Sequence, residues 1–268
     1  MGKKDYRFGS VGIPDLVAFM QERQNIFEKK ERGDPFPWTE DPILSVWKFT
    51  NIYRQNDRGT RVLTAMLEGK EPDSLMFWNI VWYRMFNWRE HTRFFNDPNE
   101  LREYMQRKYS GGDQVFTNAH MTAGIAVNGS KLEAFLQLMD QIWVRKDQLL
   151  GILLKTKRLG ALFCELTEFR GIGKFIAYEI VTDCRHRWTV TDFNSWANIG
   201  PGCKRGMERL GIYPDLDNLR KIMTEVSKSI PVELRDVEHS LCEFDKYMRV
   251  KTGAGKPRMR YHASDSHR

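Results

Sequence analysis

Apolar residues recur at helical spacing along most of the chain, and no stretch alternates apolar and polar residues convincingly enough to predict a strand. The spacing predicts helices over residues 15–30, 42–67, 72–86, 98–109, 131–146, 148–156, 158–169, 174–183, 203–210, 217–229 and 232–247. Residues 111–124 break the helical pattern and are the best candidate for a functional loop. The sequence therefore predicts an all-α fold.

The turn-forming residues and the two chain ends suggest a division into three parts. We expect residues 1–36 to form an N-terminal helix and linker, 37–252 a helical domain, and 253–268 a basic flexible tail. No apolar run approaches the length of a membrane span, so we expect no membrane contact. The first residues carry charge without an apolar core after them, so we expect no signal peptide and a cytoplasmic location.

The charge balance favours a polyanionic partner, because Lys and Arg together number 42 against 35 Asp and Glu, for a net charge of +7. The four cysteines lie far apart and form no C-x-x-C pair, which argues against a zinc site or an iron–sulfur cluster. No phosphate-binding G-x-x-x-x-G-K-[ST] motif is present. We therefore expect no metal and no cofactor.

The most informative segment runs from an apolar helix end through Gly171, Ile172 and Gly173 into Lys174 and a second helix. Such a helix–hairpin–helix, placed at about 158–183, exposes backbone N–H groups at a helix N-terminus, where a DNA phosphate can bind. Lys174 adds a positive charge there. The alternative is an ordinary corner between two helices.

Asp192 follows Gly173 by nineteen residues and is the candidate catalytic residue. Beside a nucleotide extruded from duplex DNA, its carboxylate can stabilise positive charge on the sugar or accept a proton from an incoming amine or water. The alternative is that it caps a helix beginning near Phe193. Trp196 follows closely and either lines the pocket or belongs to the core.

Two further groups of residues suit a substrate. Asn51, Arg54 and Arg58 fall on one stripe of the predicted helix 42–67, with Asp57 at its edge, and two arginines can clamp a phosphate or pyrophosphate. A structural Arg–Asp salt bridge explains the same residues. Lys246, with nearby carboxylates, lies near the end of the last long helix, where a solvated charged face is the alternative.

The loop contributes a third group of candidates, Phe116, Thr117 and Asn118. An aromatic ring with small polar neighbours can stack on an extruded base and bond its edge. Phe116 can equally well anchor the loop to the core.

The hairpin with its spaced Asp192 resembles the base-excision DNA glycosylases of the helix-hairpin-helix superfamily. Over residues 37–261, the segments 37–44, 49–58, 115–119, 196–202, 237–247 and 256–261 resemble a DNA-hypermodification group. That group contains the α-glutamyl/putrescinyl thymine pyrophosphorylases, the amino acid:DNA transferases and the helical domain of 5-hydroxymethyluracil DNA kinases. The resemblance implies a glycosylase-like helical fold acting on double-stranded DNA with modified pyrimidines.

Three functions remain open after that resemblance. The leading expectation is an amino acid:DNA transferase that flips 5-pyrophosphoryloxymethyluracil from the duplex and replaces the pyrophosphate with a free amino acid. The first alternative is a monofunctional glycosylase that excises a hypermodified pyrimidine in phage defence. The second is a non-catalytic reader of modified DNA.

Overall fold

The computed structural model describes residues 11–117, 130–255, 257 and 259–261. Within those residues the fold is all-α, as predicted, and no strand forms there beyond an isolated bridge between Trp47 and Arg260. The helices in chain order are α1 (Ile13–Arg32), α2 (Arg58–Met66), α3 (Ser74–Phe86), α4 (Pro98–Ser110), α5 (Lys131–Thr156), α6 (Leu159–Thr167), α7 (Lys174–Cys184), α8 (Pro201–Arg209), α9 (Leu216–Val226) and α10 (Leu234–Lys251).

The chain divides into two compact units, and the predicted division at residues 36 and 252 stays a prediction. Unit 1 comprises Met1–Asp57 and Ala197–Arg268, and unit 2 comprises Arg58–Trp196. Helix α1 packs on α9 and α10 within unit 1. Its Phe19 ring meets the rings of Phe244 and Tyr247 at 5.7 and 5.2 Å.

Helices α8 and α10 cross closely within unit 1. A methyl group at Gly206 would lie 2.3 Å from the carbonyl oxygen of Leu241, and one at Gly202 would lie 2.2 Å from Cys242 Sγ. Only glycine at these two positions, one helical turn apart, lets the helices approach this closely.

Unit 2 is built around α3, which is buried along nearly its whole length. Asp73 caps the helix by accepting a hydrogen bond from the backbone N–H of Met76, and α5 and α7 pack against it. Near its end, Arg84 forms a buried ion pair with Asp183 of α7, and its Nη2 donates to Thr60 Oγ1 at 3.0 Å. This polar pair lies inside an otherwise apolar core.

The predicted helix over 42–67 is wrong for its first two thirds. Asp41 accepts hydrogen bonds from the N–H groups of Ile43 and Leu44, which fixes turns there, and the chain is then extended as far as a 3-10 turn at Arg54–Asn56. Only Arg58–Met66 is α-helical. Several apolar residues of this segment are buried although they lie in turns and extended chain, so their helical spacing did not reflect a helix.

Two smaller differences concern α5 and the C-terminal residues. The predicted helices 131–146 and 148–156 form the single helix α5. Part of the expected flexible tail pairs with the chain, since Tyr261 N–H donates to Val46 O at 2.9 Å and Lys48 N–H donates to Met259 O at 3.0 Å. Much of the loop 111–124 lies outside the described residues. Among the helices that the structure describes, none is both long and apolar enough to cross a membrane.

Candidate functional site

The segment of the predicted hairpin contains α6, a short turn and α7, and the two helices pack on each other in unit 2. Gly171 has a φ of 109°, which favours glycine, whereas Gly173 has a φ of −76° that any residue adopts. Only Gly171 of the two therefore adopts a backbone conformation that requires glycine. Ile172 is buried beneath the turn, while Lys174 and Phe175 are exposed.

Gly173 is the N-cap of α7 and supplies no side chain to its first amides. A methyl group added at Gly173 would meet nothing within 4 Å among the described residues, so the turn is open on this side. Open backbone N–H groups beside a lysine suit an anion. The geometry is compatible with a helix-hairpin-helix, and membership of that superfamily stays a prediction.

Asp192 is buried, with only 4% of the residue exposed. Its Oδ1 accepts from the N–H of Leu159 at 2.8 Å and its Oδ2 accepts from the N–H of Gly160 at 3.0 Å. The carboxylate therefore caps α6, and not a helix near Phe193 as the alternative interpretation had it. The catalytic role of Asp192 stays a prediction, and its capping role is what the hydrogen bonds support.

Trp196 packs against the same helix end. Its ring is 3.2 Å from the methyl position of Gly160 and 5.2 and 5.8 Å from the rings of Phe163 and Tyr178. The residue is half-buried, so part of its surface stays accessible. These contacts give it a packing role between α6 and α7.

The loop residues Phe116 and Thr117 are anchored to the core of unit 2. Phe116 stacks on Phe86 at 5.1 Å and meets Phe135 at 4.9 Å, while Lys131 Nζ lies 4.3 Å from its ring centre. Thr117 N–H donates to Phe86 O at 2.9 Å. This agrees with the anchoring alternative for Phe116; the predicted Asn118 lies outside the described residues.

Asn51, Arg54 and Asp57 do come together in unit 1, but through a loop instead of a helical stripe. Asp57 accepts from Asn51 N–H at 3.1 Å and from Arg54 Nη1 at 3.0 Å. Arg23 Nη2 donates to Asn51 Oδ1 at 2.8 Å. Arg58 instead begins α2 in unit 2, with an exposed side chain.

Helix α10 adds three polar side chains to this part of unit 1. His239, Glu243 and Lys246 are spaced at i, i+4 and i+7, which puts them on one face of the helix. Thr50, next to Asn51 in the chain, bonds His239 Nε2 through its hydroxyl, and its N–H donates to Glu243 Oε2 at 3.3 Å. Lys246 Nζ forms a short ion pair with Glu243.

The charges of this cluster set the protonation of its members. Burial, followed by the positive charges of Arg54 and Lys246, lowers the pKa of His239 well below 6.5. Burial opposes the charge of Lys246, but Glu243 outweighs it and raises the pKa of the ammonium. The imidazole is therefore neutral at neutral pH and its lone pair is unprotonated, but burial and the two positive charges make it a weak base. We call Asn51, Arg54, Asp57, His239, Glu243 and Lys246 the unit 1 cluster.

Sequence reasoning missed His239 as a site residue. Its spacing from Glu243 and Lys246 was visible, but its partner Thr50 is 189 residues away in the chain. A cavity of about 600 Å³ in unit 1 is lined by other residues, namely Glu22, Lys29, Pro37, Trp38, Thr39, Glu40 and Asp41.

The fold is all-α, and the unit 1 cluster holds two cations, Arg54 and Lys246, paired with Asp57 and Glu243. Residues 12–226 match the family described as the helical domain of 5-hmdU DNA kinase, so the chain belongs to that family. The predicted resemblance to the DNA-hypermodification group is thereby confirmed. The matched residues end before α10, so the roles of its side chains depend on geometry alone.

A relative within this group is the 5-hmdU DNA kinase of Bacillus phage SP10, which is 28% identical over 276 residues. The match covers 84% of this chain and 43% of the relative, so the chain spans less than half of the kinase's length. No solved structure matches the chain.

Proposed function

We propose that the chain modifies DNA that contains 5-pyrophosphoryloxymethyluracil, by replacing the pyrophosphate with an amino acid. The observation that carries the proposal is the unit 1 cluster, in which a neutral His239 lies close to Arg54 and Lys246. A nucleophilic substitution on a carbon that bears an anionic leaving group needs these two functions, a proton acceptor and positive charge.

The proposed step is a single displacement. The lone pair of the amino group attacks the exocyclic methylene carbon, a C–N bond forms, and the C–O bond to pyrophosphate breaks. Pyrophosphate leaves with the electron pair, next to Arg54 and Lys246. As the C–N bond forms, the nitrogen loses one proton to His239, a weak base that passes the proton on to solvent. Because the methylene is already activated, orientation and charge neutralisation supply most of the required catalysis.

Unit 2 carries further candidates for contact with DNA. The turn at Gly171 and Gly173 offers backbone N–H groups to a phosphate, and the exposed Lys174 adds charge. The remaining candidates for contact with a DNA base are Trp196, Phe116, Thr117 and Asn118, and Asp192 stays a candidate for charge stabilisation. Arg58 remains a candidate for phosphate contact.

The product of the reaction tests this function directly. DNA carrying the pyrophosphorylated base is incubated with the protein and a mixture of amino acids, digested to nucleosides and analysed by mass spectrometry. We expect an aminoacyl-methyl nucleoside and free pyrophosphate, both dependent on an added amino acid. Alkali-labile abasic sites that form without amino acid would instead identify a glycosylase.

A second candidate function is recognition of modified DNA without chemistry. This function is favoured by the family match, because residues 12–226 match the helical domain of a kinase, and the matched region covers 43% of the SP10 protein. The expected result is then tighter binding to duplexes containing 5-hydroxymethyluracil than to thymine duplexes, with no product under any condition. Fluorescence anisotropy on matched duplexes, run beside the product assay, separates the two functions.

A further inference from the structure

Three arginines converge on one buried carboxylate where α8 crosses α10 in unit 1. Asp245 is 0% exposed, its Oδ2 accepts from Arg205 Nε at 2.8 Å, and its Oδ1 accepts from Arg209 Nε at 2.7 Å. Arg249 Nε lies 3.5 Å from the same Oδ2. We call Arg205, Arg209 and Arg249 the arginine triad.

The close helix crossing at Gly206 makes the triad possible. Because the two backbones nearly touch there, side chains one residue before and three residues after this glycine on α8 reach a carboxylate on α10. Burial opposes the charge of Asp245, but its hydrogen bonds to Arg205 and Arg209 outweigh burial and hold its pKa below the ordinary value. The carboxylate is therefore a charged, fixed anchor for the guanidinium groups.

The triad carries more positive charge than its anchor can neutralise. Both oxygens of Asp245 are already taken by Arg205 and Arg209, so Arg249 Nε, although buried, makes no hydrogen bond with any described residue. All three arginines approach through Nε, which leaves their Nη groups without a hydrogen-bond partner among the described residues. Their side chains are 50%, 27% and 40% exposed.

Three like charges held within reach of one carboxylate repel one another unless an outside anion offsets them. Guanidinium groups with free Nη donors match the oxygens of a phosphate and bind them in pairs. We propose that the arginine triad is a phosphate-binding site for the DNA backbone, in addition to the hairpin and the unit 1 cluster. The assignment concerns DNA binding and does not require the chain to carry out amino-acid transfer.

Salt-dependent DNA binding tests the triad. Each phosphate contact that is lost reduces the magnitude of the negative slope of log K against log salt by about 0.9. We would measure duplex binding by fluorescence anisotropy for the full chain, for Arg249→Gln and for Arg205→Gln/Arg249→Gln. The matched control is Arg220→Gln, which removes an exposed arginine of α9 that pairs with Asp217 at 2.7 Å. Arg249→Gln is the least disruptive change, since its Nε makes no hydrogen bond, and thermal unfolding checks the fold of each variant.

We expect the salt dependence to become less steep, with the magnitude of the slope smaller by about one for the single variant and about two for the double variant. The control should change little. Unchanged slopes in both triad variants, or an equal loss in Arg220→Gln, would overturn the assignment. Free pyrophosphate is the other source of the same chemistry. Titration calorimetry with inorganic pyrophosphate distinguishes the two sources. The assignment to DNA would also be overturned if the triad variants lost pyrophosphate binding but kept their DNA binding.

Discussion

Replacing Asp192 separates the capping role of this residue from the predicted catalytic one. In Asp192→Ala, the N–H groups of Leu159 and Gly160 both lose their acceptor at the start of α6. Leu159 is 4% exposed, so water cannot easily take the place of the carboxylate there. In Asp192→Asn, the amide keeps one acceptor oxygen, and one of the two N–H groups can still be satisfied.

The size of the effect follows from those two hydrogen bonds. Loss of a side-chain cap costs about 0.5–2 kcal/mol, and a buried N–H left without an acceptor costs about 1–3 kcal/mol. We therefore expect Asp192→Ala to lower the free energy of unfolding by about 2–4 kcal/mol, and Asp192→Asn by about half as much.

Urea unfolding followed by circular dichroism at 222 nm measures these differences, with product formation assayed on the folded fraction of each variant. A free energy of unfolding for Asp192→Ala within about 0.5 kcal/mol of the wild type would refute the capping argument. A purely catalytic carboxylate predicts another pattern, in which Asp192→Asn is as stable as the wild type and forms no product.

Three further predictions concern two pairs of glycines and one buried carboxylate. Gly206→Ala places a methyl group 2.3 Å from a carbonyl oxygen of α10, so it should lower the melting temperature and reduce the free energy of unfolding by about 1–3 kcal/mol. Gly151→Ala, in the open face of α5, should instead raise the free energy of unfolding by about 0.5–1 kcal/mol. Gly171→Ala, at a φ of 109°, should cost roughly 1–2 kcal/mol in urea unfolding, whereas Gly173→Ala should keep the fold and weaken DNA binding in anisotropy. Burial raises the pKa of Asp236 from 3.8 to about 6, so its carboxyl proton is held more tightly in the folded state than in the unfolded chain. Protonation of Asp236 therefore stabilises the fold fully below about pH 4, and this stabilisation is lost as the pH rises through 6. Asp236→Asn should remove about 3 kcal/mol of that pH dependence in urea titrations between pH 4 and 7; equal profiles for variant and wild type would contradict the assignment.

The helices that sequence predicted well carry their signals locally. α3 has a continuous apolar surface and begins after Asp73, a residue that caps it, so both its existence and its start were readable. The turn between α6 and α7 was readable for the same reason, since Gly171 and Gly173 mark it directly. The error over 42–67 arose because Asp41 fixes turns that apolar spacing does not reveal.

The site was less predictable because its contacts join distant parts of the chain. Asp192 caps a helix that begins more than thirty residues earlier, at Leu159, and the sequence contains no local pattern for such a bond. Arg54 and Asp57 were recognised as a pair, but their place in the unit 1 cluster depends on His239 and the distant Thr50. Residue types alone therefore suggested candidate residues, while the fold decides which of them meet.

The most direct test of the account compares His239→Gln with the wild type in the nucleoside assay. Glutamine can still bond the hydroxyl of Thr50, so the fold should persist, but it cannot accept a proton at neutral pH. The account predicts that the aminoacyl-methyl nucleoside forms with the wild type and falls by about 100-fold or more in His239→Gln, with unchanged DNA affinity. Equal product from both proteins would contradict the proposal that the unit 1 cluster carries out the reaction.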